Sequence, residues 1–428
     1  MKKINSVLNE VIKNISPSED NIKTIENFLE DFLKKLNKRI KSKGIKANVF
    51  VGGSFAKKTA IKKDIHDIDL FLRFERSYRS EEISNITKKL LENIEETEII
   101  HGSRDYFKIR GSDFFYVEII PVIKVRNPRE AQNITDLSYS HVNYIKRKIK
   151  NKKILDEIKL AKAFCVANHC YGAESYIQGF SGYSLELLID HYRSFIKFIK
   201  AISKHSNKEK LIIDPAKYYK NKKQVLLDIN SSKLQSPIIL IDPTYKHRNV
   251  SAALSLETFK KFQKSCKDFL KNPNLKDFEP KKTDLDKIKK DSKKKKLKFV
   301  LLEAYTNKQV GDIAGSKLLK FYKHLNQELS KSFHVKNKGF NYNQQKAARY
   351  FFIVKPKEEI LVKGPKVSDK KHVKAFKKKH KNYFTKKGRI YSKIKVEKDI
   401  KKFIEDWKTK NKKRTKEMYI DKLDVLEG

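Results

Sequence analysis

The spacing of apolar residues predicts two helices at the start of the chain. Four apolar residues lie on one face of the first helix: Leu8, Val11, Ile12 and Ile15. The same spacing over residues 25–36 predicts the second helix, and the helical region ends near residue 43. Three apolar or β-branched runs are then typical of strands: Asn48–Val51, Ile68–Phe74 and Phe114–Val125. With helical spacing near Glu81–Ile94, these runs indicate a mixed α/β unit ending near residue 130.

The middle of the chain is predominantly helical in its pattern. Between about residues 137 and 210, two segments have helical spacing: Ile154–Cys170 and Tyr183–Ile202. A short apolar strand is predicted at Pro237–Asp242, and helical spacing returns at Leu254–Phe269. This region therefore predicts a mainly helical domain.

A second α/β unit is predicted after a linker rich in helix breakers, Asn272–Lys298. Its elements are a strand at Phe299–Tyr305, a helix near Leu318–Leu329 and a strand at Ala347–Val354. From about residue 366, basic clusters alternate with aromatic residues in a tail.

Together these segments predict an α+β multi-domain fold in four parts. They are a head with a mixed sheet and helices, a mainly helical neck, an α/β body and a basic tail. The expected bounds are 1–136, 137–271, 272–365 and 366–428.

Charge narrows the choice of partner. The chain has 98 Lys and Arg against 51 Asp and Glu, a net charge of +47, which is typical of proteins that bind nucleic acid. No stretch approaches the roughly 18 apolar residues of a membrane span, and Met1–Ile15 has helical rather than signal-peptide spacing. Three cysteines argue against a disulfide framework and predict a cytoplasmic protein.

The strongest chemical signal lies on two predicted strands. Gly53-Ser54 forms a turn that can present backbone N–H groups and a hydroxyl to phosphate. Asp67 and Asp69, two apart on a strand, point to the same face. Glu118 adds a carboxylate inside an apolar run, where a charge is unfavourable unless it is paired or bound to metal. Such hard ligands select Mg²⁺ or Mn²⁺, and three carboxylates can hold two ions about 3.5–4 Å apart.

Asp-x-Asp alone is a common pattern, and Asp67 and Asp69 could simply face solvent. The order of a Gly-Ser turn, Asp-x-Asp on a strand and an isolated acid in a later apolar strand is more specific. In two-metal sites one ion activates the attacking hydroxyl and the other holds the triphosphate. We therefore expect catalytic Mg²⁺ at these carboxylates.

Gly53-Ser54, Asp67, Asp69 and Glu118 together resemble the signature of the DNA polymerase β-type nucleotidyltransferases. Further stretches narrow the resemblance to the archaeal-type (class I) CCA-adding enzymes: Tyr171–Glu174, Gly179–Tyr183, Glu186–Leu188, Asp242-Pro243 and Arg248–Ser255. The likeness is dense between about residues 50 and 260, and weak through Gly364–Phe376 into the tail.

The resemblance implies roles for the matched residues. The implied catalytic and metal-binding residues are Asp67, Asp69 and Glu118. The implied nucleotide-binding residues are Gly53, Ser54, Lys57, His141, Lys162, Tyr171 and Arg248. Lys162 offers a point charge for phosphate, and Arg248 a planar donor fork for a base edge. The family usually has Asp where this chain has Glu118, and Arg where it has Leu137.

Each nucleotide-binding candidate also has a structural explanation. Ser54 could only shape a turn, Lys162 could be an exposed helix lysine, and Arg248 a structural ion-pair residue. Tyr171 could pack at a helix end, and His141 could only start a helix.

Two further groups of residues are less specific. Cys165, His169 and Cys170 match no zinc pattern and favour core packing. The lysine runs at 289–296 and 377–379 are commonly solvated faces, but the interleaved aromatic residues and total charge favour an RNA-binding surface.

The predicted function is template-independent addition of CCA to the 3′ end of tRNA from CTP and ATP, with release of pyrophosphate. Body and tail would hold the tRNA by shape and phosphate contacts, and the resemblance also implies a homodimer. One alternative is a terminal RNA nucleotidyltransferase of other specificity, related to poly(A) polymerase or oligoadenylate synthase. The other is a catalytically silent RNA-binding protein, which the departures at Glu118 and Leu137 leave open. The stretch from Tyr171 to Ser255 favours CCA addition.

Overall fold

The computed structural model of the chain describes residues 2–102, 104–280, 283–395 and 399–427. The chain divides into two compact units, Met1–Lys281 and Lys282–Gly428. Helices and strands are present in both units, which confirms the predicted α+β class. Within the described ranges, no helix is long and apolar enough to cross a bilayer.

The elements of the first unit include both short and long segments. Its described strands are β1 (Ala47–Val51), β2 (His66–Phe74), β3 (Thr97–Ile100), β4 (Tyr106–Ser112), β5 (Phe115–Ile123), β6 (Leu211–Ile213), β7 (Ile238–Asp242) and β8 (Tyr245–Asn249). Its described α-helices are α1 (Lys2–Ile15), α2 (Glu19–Ser42), α3 (Gly53–Ala56), α4 (Glu82–Leu91), α5 (Ser138–Lys148), α6 (Lys152–Ala167), α7 (Gly182–Tyr192), α8 (Phe195–Lys204), α9 (Lys222–Asp228) and α10 (Leu256–Lys271).

The sheet of the head has the strand order β1-β2-β5-β4-β3. Strands β2 and β5 run parallel, and the other neighbours are antiparallel. Helices α2 and α4 pack on one face, against Ile68, Leu70 and Leu72 of β2. Because successive strand residues point to opposite faces, Asp67 and Asp69 lie on the other face of the sheet.

The neck builds its core from α1, α6, α7, α8 and α10. Helices α6 and α7 are buried on most sides, so that two of their charged residues, Lys162 and Glu186, lie inside the protein. Beside them is a small sheet of order β6-β7-β8, whose central strand is buried along its length and ends at Asp242.

The second unit contains two sheets and its own core. Its described strands are β9 (Lys298–Tyr305), β10 (Phe333–Tyr342), β11 (Ala347–Pro356), β12 (Glu359–Lys366), β13 (Tyr383–Lys386), β14 (Arg389–Lys395) and β15 (Lys422–Glu427). Its described α-helices are α11 (Leu285–Lys294), α12 (Asp312–Ser332), α13 (Lys370–Lys379), α14 (Ile400–Lys410) and α15 (Lys412–Glu417). The sheets have the orders β10-β11-β9-β15 and β12-β14-β13.

The segment Tyr183–Ile202, for which helical spacing was predicted, is helical but divided into two helices, α7 and α8. Helix α7 ends before Arg193, which has a left-handed φ of 62°. The Ser194 hydroxyl then accepts a hydrogen bond from the Lys197 amide and caps α8. The apolar residues keep helical spacing on both sides of Ser194, so the spacing alone does not show that one helix ends and another begins there.

The predicted linker Asn272–Lys298 contains the helix α11, and its residues 281 and 282 lie outside the described residues. The predicted basic tail takes part in the fold of the second unit. Strand β15 pairs with β9, and Ile400, Ile404 and Trp407 are buried in the core of that unit. The four domain bounds stay a prediction.

Candidate active site

The Gly-Ser turn, which forms the start of α3 directly after β1, lies against the carboxylate strand. Gly53 has a φ of +60°, and a Cβ atom there would lie 1.7 Å from Oδ2 of Asp69. Only glycine permits this conformation and this approach without strain. The Gly52 amide donates to the Asp69 carbonyl over 2.8 Å, and the Ser54 carbonyl accepts from the Thr59 amide over 3.0 Å. The turn is therefore fixed beside Asp69.

The structure brings Asp67, Asp69 and Glu118 onto adjacent parallel strands. The register places Asp69 directly opposite Glu118. Burial, and then repulsion from Asp67 and Asp69, raises the pKa of Glu118 to about 7. Burial also raises the pKa of Asp69, against the attraction of Lys57. Asp67 is exposed, with Oδ2 3.2 Å from Lys63 Nζ.

These carboxylates fit a divalent cation in their chemistry. Their oxygens are hard ligands. Burial and mutual repulsion disfavour the charged forms of Asp69 and Glu118 and so raise their pKa values, and a cation beside them would stabilise those charged forms. Among the described residues, no group of three or more His, Cys, Asp or Glu side chains is arranged to hold a metal ion. The metal-binding role of the three residues stays a prediction.

Lys57, Thr59 and Lys162 converge on the carboxylate of Glu186. Lys57 Nζ lies 2.7 Å from Oε2, and the Thr59 hydroxyl donates to Oε1 over 2.8 Å. Lys162 Nζ lies 2.9 Å from Oε1 and also donates to the Thr59 hydroxyl over 2.7 Å. Because Lys162 is only 2% exposed, its explanation as an exposed helix lysine is excluded.

The charge balance of this cluster suits an anionic ligand. Burial by itself raises the pKa of Glu186, but the charges and hydrogen bonds of Lys162 and Lys57 outweigh it and lower the pKa to about 2. Burial lowers the pKa of Lys162, against the attraction of Glu186. Two lysines against one carboxylate leave a surplus of positive charge beside the Gly-Ser turn, as a triphosphate requires.

Tyr171 joins the cluster next to Gly182, the first residue of α7. A Cβ atom at Gly182 would lie 3.0 Å from the Tyr171 hydroxyl and 3.7 Å from Lys162 Nζ. The hydroxyl and the ammonium group therefore approach the same side of the helix start. Burial raises the pKa of Tyr171, which keeps its hydroxyl protonated and able to donate.

His141 and Arg248 lie in a second cluster, around the carboxylate of Asp242. Arg248 Nη1 donates to Oδ2 over 2.7 Å, His141 Nε2 is 3.1 Å from the same oxygen, and the Tyr183 hydroxyl donates to Oδ1 over 3.1 Å. The rings of His141 and Tyr183 stack with centroids 4.3 Å apart.

Charge and burial determine the protonation states of Asp242 and His141 in this second cluster. Burial alone raises the pKa of Asp242, but the hydrogen bond with His141 and the charge of Arg248 outweigh it and hold the pKa well below its usual range. Burial lowers the pKa of His141. Asp242 is thus a carboxylate that orients Arg248, whose side chain is 22% exposed and can still meet a ligand.

Helix α7 links the two clusters. Tyr183 and Glu186 are three residues apart and therefore lie on the same face of the helix. One contacts Asp242, and the other contacts Lys57 and Lys162. The helix therefore fixes the spacing between the phosphate-side lysines and Arg248.

Next to Leu137, the side chain of Asp136 forms a buried ion pair. The Arg104 guanidinium pairs with the Asp136 carboxylate, and both side chains are nearly or fully buried. Arg104 Nη2 donates to the Ser80 hydroxyl over 2.8 Å, and Asp136 accepts from the Ile123 amide over 2.9 Å. This pair joins the end of β5 to the loop before α5.

Sequence reasoning did not select Glu186, Asp242, Tyr183 or Thr59 as site residues. Glu186 had a usable signal, since it is a lone charge in the apolar run Leu185–Ile189, the same signal that identified Glu118. Asp242 similarly ends an apolar strand. Thr59 had no such signal, because its role depends on contacts with residues more than 100 positions away.

Two family models match the first unit. The one described as the second domain of tRNA nucleotidyltransferase matches residues 156–279. The one described as the Second Messenger Oligonucleotide or Dinucleotide Synthetase domain matches residues 1–157. The boundary between the two matches falls at the start of α6.

Curated relatives match half of this chain or more. The CCA-adding enzyme of Nanoarchaeum equitans is 41% identical over 217 residues, which cover 50% of this chain and 52% of that enzyme. The CCA-adding enzyme of Thermococcus gammatolerans is 31% identical, covering 66% and 63%. The resemblance to archaeal CCA-adding enzymes is confirmed. The chain spans about half of the first enzyme's length and less than two thirds of the second's.

Solved structures agree in fold. A Cid1 poly(U) polymerase aligns with a TM-score of 0.52 and 16% identity, covering 65% of this chain and 99% of that one. A cytoplasmic RNA terminal U-transferase aligns with a TM-score of 0.50 and 14% identity, covering 66% and 100%. At these identities the likeness concerns the fold alone, and it confirms the predicted polymerase-β-like nucleotidyltransferase fold.

Proposed function

We propose that this chain is a CCA-adding tRNA nucleotidyltransferase. It would add two cytidines from CTP and one adenosine from ATP to the 3′ end of tRNA, without a nucleic-acid template, and release pyrophosphate. The observation that supports it best is the meeting of the carboxylate strand, the Gly53 turn and the Lys57–Lys162–Glu186 cluster in one unit. The similarity to archaeal CCA-adding enzymes supports the choice of substrate.

The chain's own residues bind the triphosphate in this proposal. The amide groups and hydroxyl of the Gly53-Ser54 turn would meet phosphate oxygens. Lys57, which follows the turn, and Lys162 and Tyr171 of the neck would also bind these oxygens. Glu186 would keep both lysines in place before the nucleotide arrives, so that little reorganisation is needed on binding.

The carboxylates would bind Mg²⁺. Asp67, Asp69 and Glu118 would hold it, and when bound it would supply charge stabilisation at the reacting phosphate and activate the tRNA 3′ hydroxyl. The approach of Asp69 to Gly53 would keep the carboxylates next to the bound triphosphate. Positioning and charge then account for the catalysis, as in phosphoryl transfer generally.

The second cluster would choose the base. Asp242 accepts one Arg248 Nη1 hydrogen bond and so orients the guanidinium, whose remaining donors can meet acceptors on cytosine or adenine. The ring stack of His141 on Tyr183 would close the pocket beside the sugar.

The test is incubation of the purified protein with Mg²⁺ and tRNA that lacks its CCA end. CTP alone, ATP alone and both together are supplied in separate reactions. Two cytidines from CTP, followed by one adenosine only when ATP is also present, are expected. Long tails of one base would identify a polymerase-type terminal transferase instead. Bound tRNA without any incorporation would identify an RNA-binding protein without catalysis.

Two further properties belong to this proposal. We expect the reaction in the cytoplasm, consistent with the three cysteines, which are buried free thiols. We also expect a homodimer, and light scattering on the eluted protein would give its mass. A monomer mass at assay concentration would contradict the dimer without affecting the proposed reaction.

A further inference from the structure

The sheet of the second unit leaves a polar patch open on one face. Helices α12 and α14 cover one side of the β10-β11-β9-β15 sheet. On the other side, α11 covers Phe299, Leu301 and Ile353. Beyond α11, the residues on this face change from apolar to polar. Glu303, Arg349 and Asn341 are direct cross-strand neighbours there, on β9, β11 and β10.

A cavity of about 510 Å³ lies over this patch. Tyr305 and Ala347, which face each other across β9 and β11, form part of its lining. The remaining lining residues are Val310 and, in the loop after β10, Asn343, Gln345 and Lys346. A smaller cavity of about 50 Å³ adjoins it, since both are lined by Asn341 and Arg349. The two form one groove with an aromatic wall and a polar floor.

The groove offers both hydrogen-bond donors and hydrogen-bond acceptors to a ligand. Arg349 Nε donates to Glu303 over 2.8 Å, and the Tyr305 hydroxyl also donates to Glu303. Glu303 is the acid in the lining, and these two contacts satisfy it. The other guanidinium nitrogens of Arg349 have no hydrogen-bond partner among the described residues, and neither do the side-chain amide groups of Asn341 and Gln345.

The surroundings favour an anionic chain. Residues 282–428 carry 44 Lys and Arg against 17 Asp and Glu. Next to the cavity, Lys422 Nζ lies 5.6 Å from the ring centre of Tyr305 and 2.6 Å from Oδ2 of Asp424, with which it forms an ion pair. Thr306 donates to the carbonyl of Tyr419, whose exposed ring has Lys308 and Lys317 at 4.5 and 4.4 Å. Several cations along the surface beside one cavity match successive phosphates, whereas one small anion would need only one of them.

We propose that this groove binds an unpaired nucleobase of the RNA substrate, stacked on Tyr305 and read by Asn341, Gln345 and Arg349. Planar amide and guanidinium groups suit the edges of an unstacked base, and aromatic rings are the usual platforms for single-stranded RNA. The lysines near Tyr305 and Tyr419 hold the adjoining phosphates. This proposal rests on the proposed function for the identity of the partner, and it adds a base-binding site remote in sequence from Arg248.

The experiment compares tRNA binding by the full-length protein and two double variants. Asn341→Ala with Gln345→Ala removes two neutral groups from the groove. Asn382→Ala with Gln327→Ala removes the same residue types from exposed positions elsewhere in the unit. Affinity is measured at several salt concentrations. Because neither variant changes charge, we expect the groove variant to bind about five- to thirtyfold more weakly, with an unchanged salt dependence. The control binds like the wild type.

A crosslinking measurement identifies the segment of the protein that contacts the base. Ultraviolet irradiation of the wild-type complex is expected to join a tRNA base to Tyr305 or to the peptide 341–349, found by mass spectrometry. Affinities within twofold of each other for the two double variants would overturn the proposal. So would crosslinking of this peptide by free ATP or CTP but not by tRNA. Normal binding and crosslinking without nucleotide transfer would overturn the proposed function alone.

Discussion

Lys162 and Glu186 form an ion pair of 2.9 Å in which the lysine is 2% exposed and the carboxylate is fully buried. Glu186 also binds Lys57 and Thr59, which follow the Gly-Ser turn. One buried carboxylate therefore connects the turn to α6 and α7. We infer that Glu186 is a positioning residue, which acts through the lysines rather than on the nucleotide itself.

Replacing Glu186 by Gln should lower both stability and nucleotide binding. Removing one partner of a buried ion pair typically costs about 3–5 kcal/mol, because the other charge is left uncompensated. Urea denaturation should show a loss of about 3 kcal/mol, and the KM for CTP should rise. Glu257→Gln on the exposed side of α10 serves as control, with an expected change within about 0.5 kcal/mol. Equal stability of the two variants would exclude the described ion pair.

The same carboxylate predicts a pH dependence. Its pKa is about 2 in the folded protein against an ordinary value of 4.5. A lowered folded pKa contributes stability above pH 4.5, and this contribution is lost as the pH falls toward 2. The difference in melting temperature between wild type and Glu186→Gln should therefore be greatest near pH 7 and shrink below pH 4.5. A difference that stayed constant down to pH 3 would contradict the assignment.

The carboxylates should be essential for transfer but not for tRNA binding. Asp67→Ala or Asp69→Ala should reduce kcat by at least about a thousandfold, because such a change removes a group needed only during catalysis. Asp64→Ala, at an exposed position three residues before Asp67, is the control and should keep wild-type rates. Rates and tRNA affinity are measured on the same preparations. Wild-type turnover in either Asp67→Ala or Asp69→Ala would rule out the metal-binding role.

Gly53→Ala tests the contact between the turn and Asp69. Gly53 and Gly388 both have a positive φ, of 60° and 69°. A Cβ atom at Gly388 meets nothing within 4 Å, whereas at Gly53 it would displace Asp69. Both alanine variants should lose about 1 kcal/mol of stability from backbone strain, but only Gly53→Ala should lose transfer activity. Full activity of Gly53→Ala would show that Asp69 does not need this approach.

The apolar pattern predicted most of the sheet strands and helices that hold the site, because each buries one face. It missed β3 and β4, although β4 pairs with the strand of Glu118. The residues of β4 alternate with charges and end in Gly111-Ser112, so the segment lacks a continuous apolar run. The segment is a strand because it pairs with β3 on one edge and β5 on the other. These partners lie outside the segment, so its own residues do not predict the strand.

The site was predicted best where neighbouring residues determine the chemistry. The Gly53 turn and the pair Asp67 and Asp69 lie within one stretch, and their proximity follows from strand geometry. Glu186 and Asp242 were not selected, since each receives its partners from several elements. A lone acid in an apolar run signals only that some partner exists, and the fold determines which cation it binds.

The orientation of Arg248 by Asp242 should control the choice of nucleotide. Arg248→Lys keeps the charge but loses the planar fork, so one donor cannot both bind Asp242 and meet the base. We expect kcat/KM for CTP and ATP to fall about tenfold to a hundredfold, with a smaller fall for UTP and GTP, so that discrimination is reduced. Arg193→Lys is the matched control, because the exposed guanidinium of Arg193 likewise pairs with a buried carboxylate, that of Asp190, outside the two clusters. An equal fall in kcat/KM for all four nucleotides would indicate that Arg248 contacts the phosphates instead of the base. An unchanged kcat/KM would show that Arg248 serves only in a structural ion pair.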